Sequence, residues 1–238
     1  MWPRHGGPGR SSAAARRSLH GRVVTGRHRP GPSIRSCCDV PFFVEANPYV
    51  RGIVPNIGRI AAALRIADGL VAWVLPVSEA PLGRVSGEFY GPVVSQTFAA
   101  TGGEGPPRTR VWHAFGVRPD DLVVEKTAYR AFFPGRCVLP ELLAEREIDT
   151  VVITGALTNV CCESSARDAA TNGLGVLMVA DANAARRDRD HNATLHTIYR
   201  SFGDVRTTDE VLDLIGRRTP ELPNHHGRGR KRCHRIRG

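Results

Sequence analysis

Two kinds of apolar spacing alternate along residues 55–215. The segment PNIGRIAAALRIADG (55–69) puts Ile57, Ile60, Ala61 and Leu64 on one helical stripe, with Gly69 just past its end. LVAWVLPV (70–77) follows as an unbroken apolar run, the form a strand takes when both faces of its sheet are covered. Leu122–Val124 predicts a short strand, and 138–146 a helix with Pro140 in its first turn. The β-branched run Thr150–Thr154 predicts a buried strand, 160–171 a helix ending before Gly173, and 176–180 another buried strand. A helix over 190–202 carries Ala193, Ile198 and Phe202 towards one side, and Thr207 with Glu210 forms a capping box that opens a last helix through Ile215. Helices alternating with strands imply right-handed crossovers and helices on both faces of the sheet. The expected fold is a three-layer α/β/α sandwich around a mostly parallel sheet.

Three stretches fall outside this alternation. Residues 79–120 are rich in Gly, Pro and Ser and predict a long excursion with little regular structure, which in a domain of this size usually serves as a lid or a subunit contact. The other two are the ends. Residues 1–38 hold eight Arg and no acid, and residues 216–238 hold seven Arg and Lys231 against the single acid Glu221. With +8 and +7 in the ends of a chain whose net charge is +10, residues 39–215 carry −5. The basicity therefore belongs to Gly/Pro/Arg-rich segments that cannot bury a core. Three roles fit such segments: an unstructured extension, an arm for a polyanion, or a targeting sequence. Trp2 is the one aromatic in the two ends, which argues against base stacking and a nucleic-acid partner. Six Gly and four Pro in residues 1–38 argue against an amphipathic presequence. The domain expected from these boundaries covers residues 39–216, between disordered basic segments at 1–38 and 217–238.

The longest apolar run, Leu70–Leu75, is far below the roughly 20 residues of a membrane span. Among six cysteines, Cys37–Cys38 and Cys161–Cys162 are adjacent pairs, a poor geometry for bridging, and no C-x-x-C pair marks a zinc site. A reducing, cytoplasmic setting is expected.

Candidate chemistry concentrates in GALTNVCCESSARDA (155–169), where a predicted strand turns into a predicted helix at Cys161. The first N–H groups of a helix lack intrahelical partners and favour negative charge, so a thiol there is drawn towards thiolate and an oxyanion can be held beside it. Most cysteines are simply small buried hydrophobes. Neighbours on a helix face different ways, so Cys162 is the candidate for that packing role. Lys126 is the one Lys against sixteen Arg in residues 39–215, and it follows the strand LVVE. A compact ammonium stabilises a thiolate without the planar fork of a guanidinium, whereas an exposed lysine need have no task at all.

DLVVEKTAYRAF, DTVVITGALTNVCCESSARDA and VLMVADANAARRDRDHNATLHTIYRSFGDVRTTDEVL resemble, in order and spacing, consecutive blocks of the isochorismatase-like cysteine hydrolases, over roughly residues 50–215. The resemblance implies an Asp–Lys–Cys triad in which Cys161 and Lys126 match by position. It also implies a cis peptide at Ala156–Leu157 that turns backbone N–H groups, that of Cys161 among them, towards an oxyanion. For the aspartate the candidate is Asp39 in CCDVPFFVEA, 87 residues before Lys126, although Pro41 stands where Gln is usual and PSIRSCC before it is not an apolar strand. The implied activity is C–N hydrolysis of a small amide, ureide or carbamoyl compound through a thioester. No cofactor is implied. The metal site of the family's nicotinamidases is not expected either, since His113 is the one histidine between Asp39 and Lys126; it reads as a pocket or packing residue. The expected partners are a small-molecule substrate and further copies of the chain, in a dimer or tetramer. Two other readings are a vinyl-ether hydrolase, which can work without the cysteine, and a non-catalytic oligomeric protein disabled at its first strand. Deleting residues 1–30 and 220–238 is expected to leave the melting transition within about 2 °C of the full chain, measured by calorimetry.

Overall fold

A computed structural model describes residues 44, 47–77, 88–89, 91–92 and 103–217, together with the backbone of 33–36. In chain order the elements are β1 (Ser33–Ser36), α1 (Pro48–Ile66), β2 (Val71–Pro76), α2 (Pro107–Arg110), β3 (Leu122–Lys126), α3 (Leu139–Ala144), β4 (Thr150–Ala156), α4 (Glu163–Thr171), β5 (Gly175–Ala184), α5 (Asp188–Ser201), β6 (Asp204–Arg206) and α6 (Thr208–Gly216). The six strands form one sheet in the order β3-β2-β1-β4-β5-β6, every neighbouring pair parallel.

Side chains alternate across the sheet as a strand's period of two requires. Val71, Trp73 and Leu75 of β2 and Val152 of β4 pack with α1 and α6 on one face. Ala72 and Val74 of β2 and Val151 and Ile153 of β4 pack with α3, α4 and α5 on the other. The unbroken apolar runs of β2 and β4 thus serve two cores, and the three-layer arrangement follows.

Several expectations need correction. α1 begins at Pro48, not Pro55: the Asn47 side chain accepts the Tyr49 N–H at 3.0 Å, Pro48 opens the first turn, and Pro55 lies inside the helix on its exposed side. The apolar stripe therefore runs on from Val50 and Ile53. PSIRSCC is not apolar, yet part of it is a strand. Ser33–Ser36 pairs with β2 through Ile34–Val71 and with β4 through Ser33–Val151, so the least apolar strand sits at the centre of the sheet. A boundary at residue 38 consequently cuts through the domain, which includes β1. β6, three residues between two helices, carries too little pattern to predict. β5 runs on to Ala184 because its pairing with β4 shifts register between Ile153 and Gly155. There the buried Asn183 amide donates to Ile153 O at 2.8 Å and to Val179 O at 2.7 Å and closes the irregularity.

At the amino-terminal edge of the sheet, Asp121 is buried just before β3. It accepts hydrogen bonds from Arg65 Nε (3.1 Å), from the Trp73 indole (2.9 Å) and from the Arg118 N–H (2.9 Å), and so ties the end of α1 to β2 and β3. Burial alone would raise its pKa. The Arg65, Arg118 and Trp73 hydrogen bonds and the Arg65 charge outweigh that, and hold the carboxyl below its ordinary value. A depressed folded-state pKa contributes stability above the unfolded value, near 4, and that stability is lost as pH falls through the lower folded value. Asp121→Asn is expected to cost about 3 kcal/mol at pH 7, because it leaves the Arg65 charge uncompensated, and to flatten the loss of stability as pH falls below about 4. Urea unfolding across that range measures both.

Candidate active site

From β1 the chain builds the sheet one way, to β2 and β3. From β4 it builds the other way, to β5 and β6. Where neighbouring strands lead off in opposite directions a crevice opens outside their carboxyl ends, here those of β1 and β4.

Cys161 lies at that edge. β4 ends at Ala156, the Ala156–Leu157 peptide is cis, and Thr158–Cys162 makes a single turn of π-helix before α4. The cysteine therefore stands in the wide turn ahead of the helix rather than in the helix's own first turn, as the sequence had suggested. The Leu157 carbonyl accepts the N–H groups of Val160 (3.1 Å) and Cys162 (3.3 Å), on either side of Cys161 in the chain. Cys161 is partly exposed. Cys162 is fully buried with its thiol 4.0 Å from Thr154 O, and Cys137 is buried too. Ala156 is buried and Leu157 half-buried.

Lys126 ends β3 at the same edge. Its backbone pairs with Pro76 of β2 on one side and Cys137 on the other, and its ammonium, on a side chain 3% exposed, donates to Tyr129 O at 2.7 Å. Beside it, Arg110 of α2 donates to Pro76 O at 2.9 Å and pairs with Glu125. Asp39 lies outside the described residues. His113 is neither buried nor in a metal cluster: it is exposed with its ring against Trp112, and no group of three or more potential metal ligands occurs among the described residues.

β3 and β4 are three strand positions apart, roughly 14 Å at about 4.8 Å per strand. The return loop 127–137 spans that gap by docking on α4. The Ser165 hydroxyl accepts the Ala131 N–H (3.1 Å), Asp168 accepts Arg130 Nη1 (3.0 Å), and Asn172 donates to Phe132 O (3.2 Å). These three side chains were missed from the sequence. Their spacing, three then four residues apart on a predicted helix, was a readable signal of a polar stripe. Also missed were His191 and Thr194 on α5: His191 Nδ1 is 2.9 Å from the Thr158 hydroxyl, and Thr194 donates to Glu163 at 2.7 Å.

The isochorismatase domain model matches residues 37–210. The chain belongs to the isochorismatase family of hydrolases. An uncharacterised isochorismatase family protein of Bacillus subtilis, YwoC, is 30% identical over 68% of this chain and 83% of its own length. Nicotinamidase 3 of Arabidopsis thaliana (36% identical over 41% of this chain) and maleamate amidohydrolase of Pseudomonas putida (31% over 47%) match across about half their own lengths, 48% and 52%. Among solved structures, a cysteine hydrolase from Pseudomonas syringae superposes with a TM-score of 0.68 at 25% identity, covering 79% of this chain and 92% of that one. N-carbamoylsarcosine amidase from Thermoplasma acidophilum shares the fold with a TM-score of 0.61 at 23% identity, covering 75% and 96%. No described helix is long and apolar enough to cross a bilayer.

The burial pattern predicts an order of thiol reactivity. In the native protein iodoacetamide is expected to alkylate Cys161 at least tenfold faster than Cys162 or Cys137, read by peptide mass mapping over a time course.

Proposed function

We propose that this protein hydrolyses a C–N bond of a small amide, ureide or carbamoyl compound through a thioester on Cys161. The observation that carries the reading is the position of Cys161: a partly exposed thiol, next to a fully buried one, in the turn that leaves β4 where the sheet reverses direction. The names of the amidohydrolases and of the nicotinamidase it resembles support C–N hydrolysis as the reaction class.

In this reading Asp39, three residues past the end of β1, accepts the Cys161 thiol proton while the buried Lys126 ammonium stabilises the thiolate that forms. The thiolate attacks the carbonyl carbon. The oxyanion that forms is held by backbone N–H groups of the turn around Ala156, Leu157 and Cys161. As the C–N bond breaks, Asp39 returns its proton to the departing nitrogen and the acyl group remains as a thioester. Water then attacks the acyl carbon, gives a proton to Asp39, and releases the acid and the thiolate. The non-catalytic alternative supposes that the first strand and Asp39 are not in place; the pairing of β1 with both neighbours supports the hydrolytic reading on the first of these points. A vinyl-ether hydrolase has no need of a thiol in this turn.

Ammonia release across a panel of small amides, ureides and carbamoyl compounds tests the proposal. Cys161→Ala is expected to reduce turnover to background, and Asp39→Asn to reduce it by roughly 10²–10⁴ with the fold intact. A Cys161→Ala variant that released ammonia at the parent rate would sink the thioester mechanism.

A further inference from the structure

We propose that His191 is a positioning residue for Cys161, acting through the Thr158 hydroxyl to hold the π-turn that presents the thiol. Its functional meaning rests on the reading of Cys161 as the nucleophile. The argument begins with what holds the turn. Thr158–Cys162 is a single π-turn that runs directly into α4, a local departure from regular helix that needs support from its surroundings. Something outside the turn must fix it, and α5 does so at both ends. Thr158, fully buried and three residues before Cys161, has its hydroxyl 2.9 Å from His191 Nδ1. Glu163, two residues after Cys161, accepts Thr194 Oγ1 at 2.7 Å and the Arg167 guanidinium at 2.6 Å. His191 and Thr194 are three residues apart on α5, adjacent on one helix face. The same face therefore grips the turn before and after the thiol.

Burial of the His191 ring lowers its pKa, against the Asp188 carboxylate and the Ala180 backbone, which raise it, and so favours the neutral imidazole. A neutral ring bonds the Thr158 hydroxyl through Nδ1 as acceptor or as donor, and either bond ties α5 to the start of the turn. Cys161 also touches the apolar cluster between the sheet and α4. A turn released from His191 can swing the thiol into that cluster and away from the crevice, which lowers its reactivity.

Alkylation of Cys161 by iodoacetamide at pH 7 reads this without a substrate. In the full-length chain, His191→Ala and Thr158→Val are each expected to slow Cys161 labelling about fivefold, the size expected for one neutral hydrogen bond. His191→Asn places a hydrogen-bonding atom where Nδ1 stood, and Thr158→Ser keeps the hydroxyl; both are expected to label within twofold of the parent. His191→Gln, whose polar atoms match the other ring nitrogen, is expected to behave like His191→Ala. The double variant His191→Ala/Thr158→Val is expected to be no slower than either single one, because both remove one shared interaction. Parent-like or faster labelling in the two singles, multiplied effects in the double, or an Asn variant as slow as the Ala variant would overturn the assignment. Should His191→Ala not fold, Thr158→Val and Thr158→Ser, checked by melting temperature, measure the same bond from its other end. A protein inert towards every amide in the panel that still showed this coupling would refute the hydrolytic reading and leave the positioning role standing.

Discussion

β1 hydrogen-bonds β2 along one edge and β4 along the other, and the rest of the molecule hangs on that double pairing. One half of the sheet leads to β3 and Lys126, the other to β4 and the turn that carries Cys161. Only four residues of backbone join the halves. Parallel strands pair through evenly spaced, slanted bonds, so the registers Ser36–Trp73 and Ser36–Thr154 set the heights of the two halves relative to each other. The chain leaves this strand in one direction and β4 in the other, the arrangement that opens a crevice at the carboxyl ends of such strands.

The sheet brings Lys126 and Cys161 to one edge but leaves their strands three positions apart, and the remaining distance is closed by polar contacts. Loop 127–137 reaches α4 through Ser165, Asp168 and Asn172, while α5 holds the turn ahead of α4 through Thr158 and Glu163. α4 is thus fixed from both sides by hydrogen bonds to side chains, with Ala166 and Ala169 fully buried beneath it. Small residues let the helix lie close to the sheet. The directional restraint on the turn that carries Cys161 comes from the hydrogen bonds, since apolar packing against alanines offers little of it.

Charge follows a similar division. Asp121, at the amino-terminal edge of the sheet, is saturated by Arg65, Trp73 and Arg118 and has no bond left to offer a ligand. Lys126, at the carboxyl edge, is equally buried, and among the described residues its ammonium donates to Tyr129 O. Its ammonium and the thiol of Cys161 belong to elements that end at the same edge of the sheet.

The order of the elements and the chemistry-bearing types were legible in the sequence wherever a strong local pattern existed. The apolar run of β2, the β-branched run of β4 and the capping box at Thr207 and Glu210 each state their role within a few residues, because burial on two faces and backbone capping are local demands. The start of α1 was legible too, in Asn47–Pro48, but a second proline at 55 offered a competing start. What tertiary structure alone decided is non-local. SIRS has no strand pattern, and it becomes the central strand because two neighbours supply its hydrogen bonds. Thr158 and His191 are 33 residues apart, and Ala131 and Ser165 are 34 apart; they meet only once the sheet has stacked β5 beside β4 and laid the return loop across α4. A sequence records which side chains can donate and accept. Which of them face each other is set by crossovers whose ends are joined by packing, not by proximity along the chain.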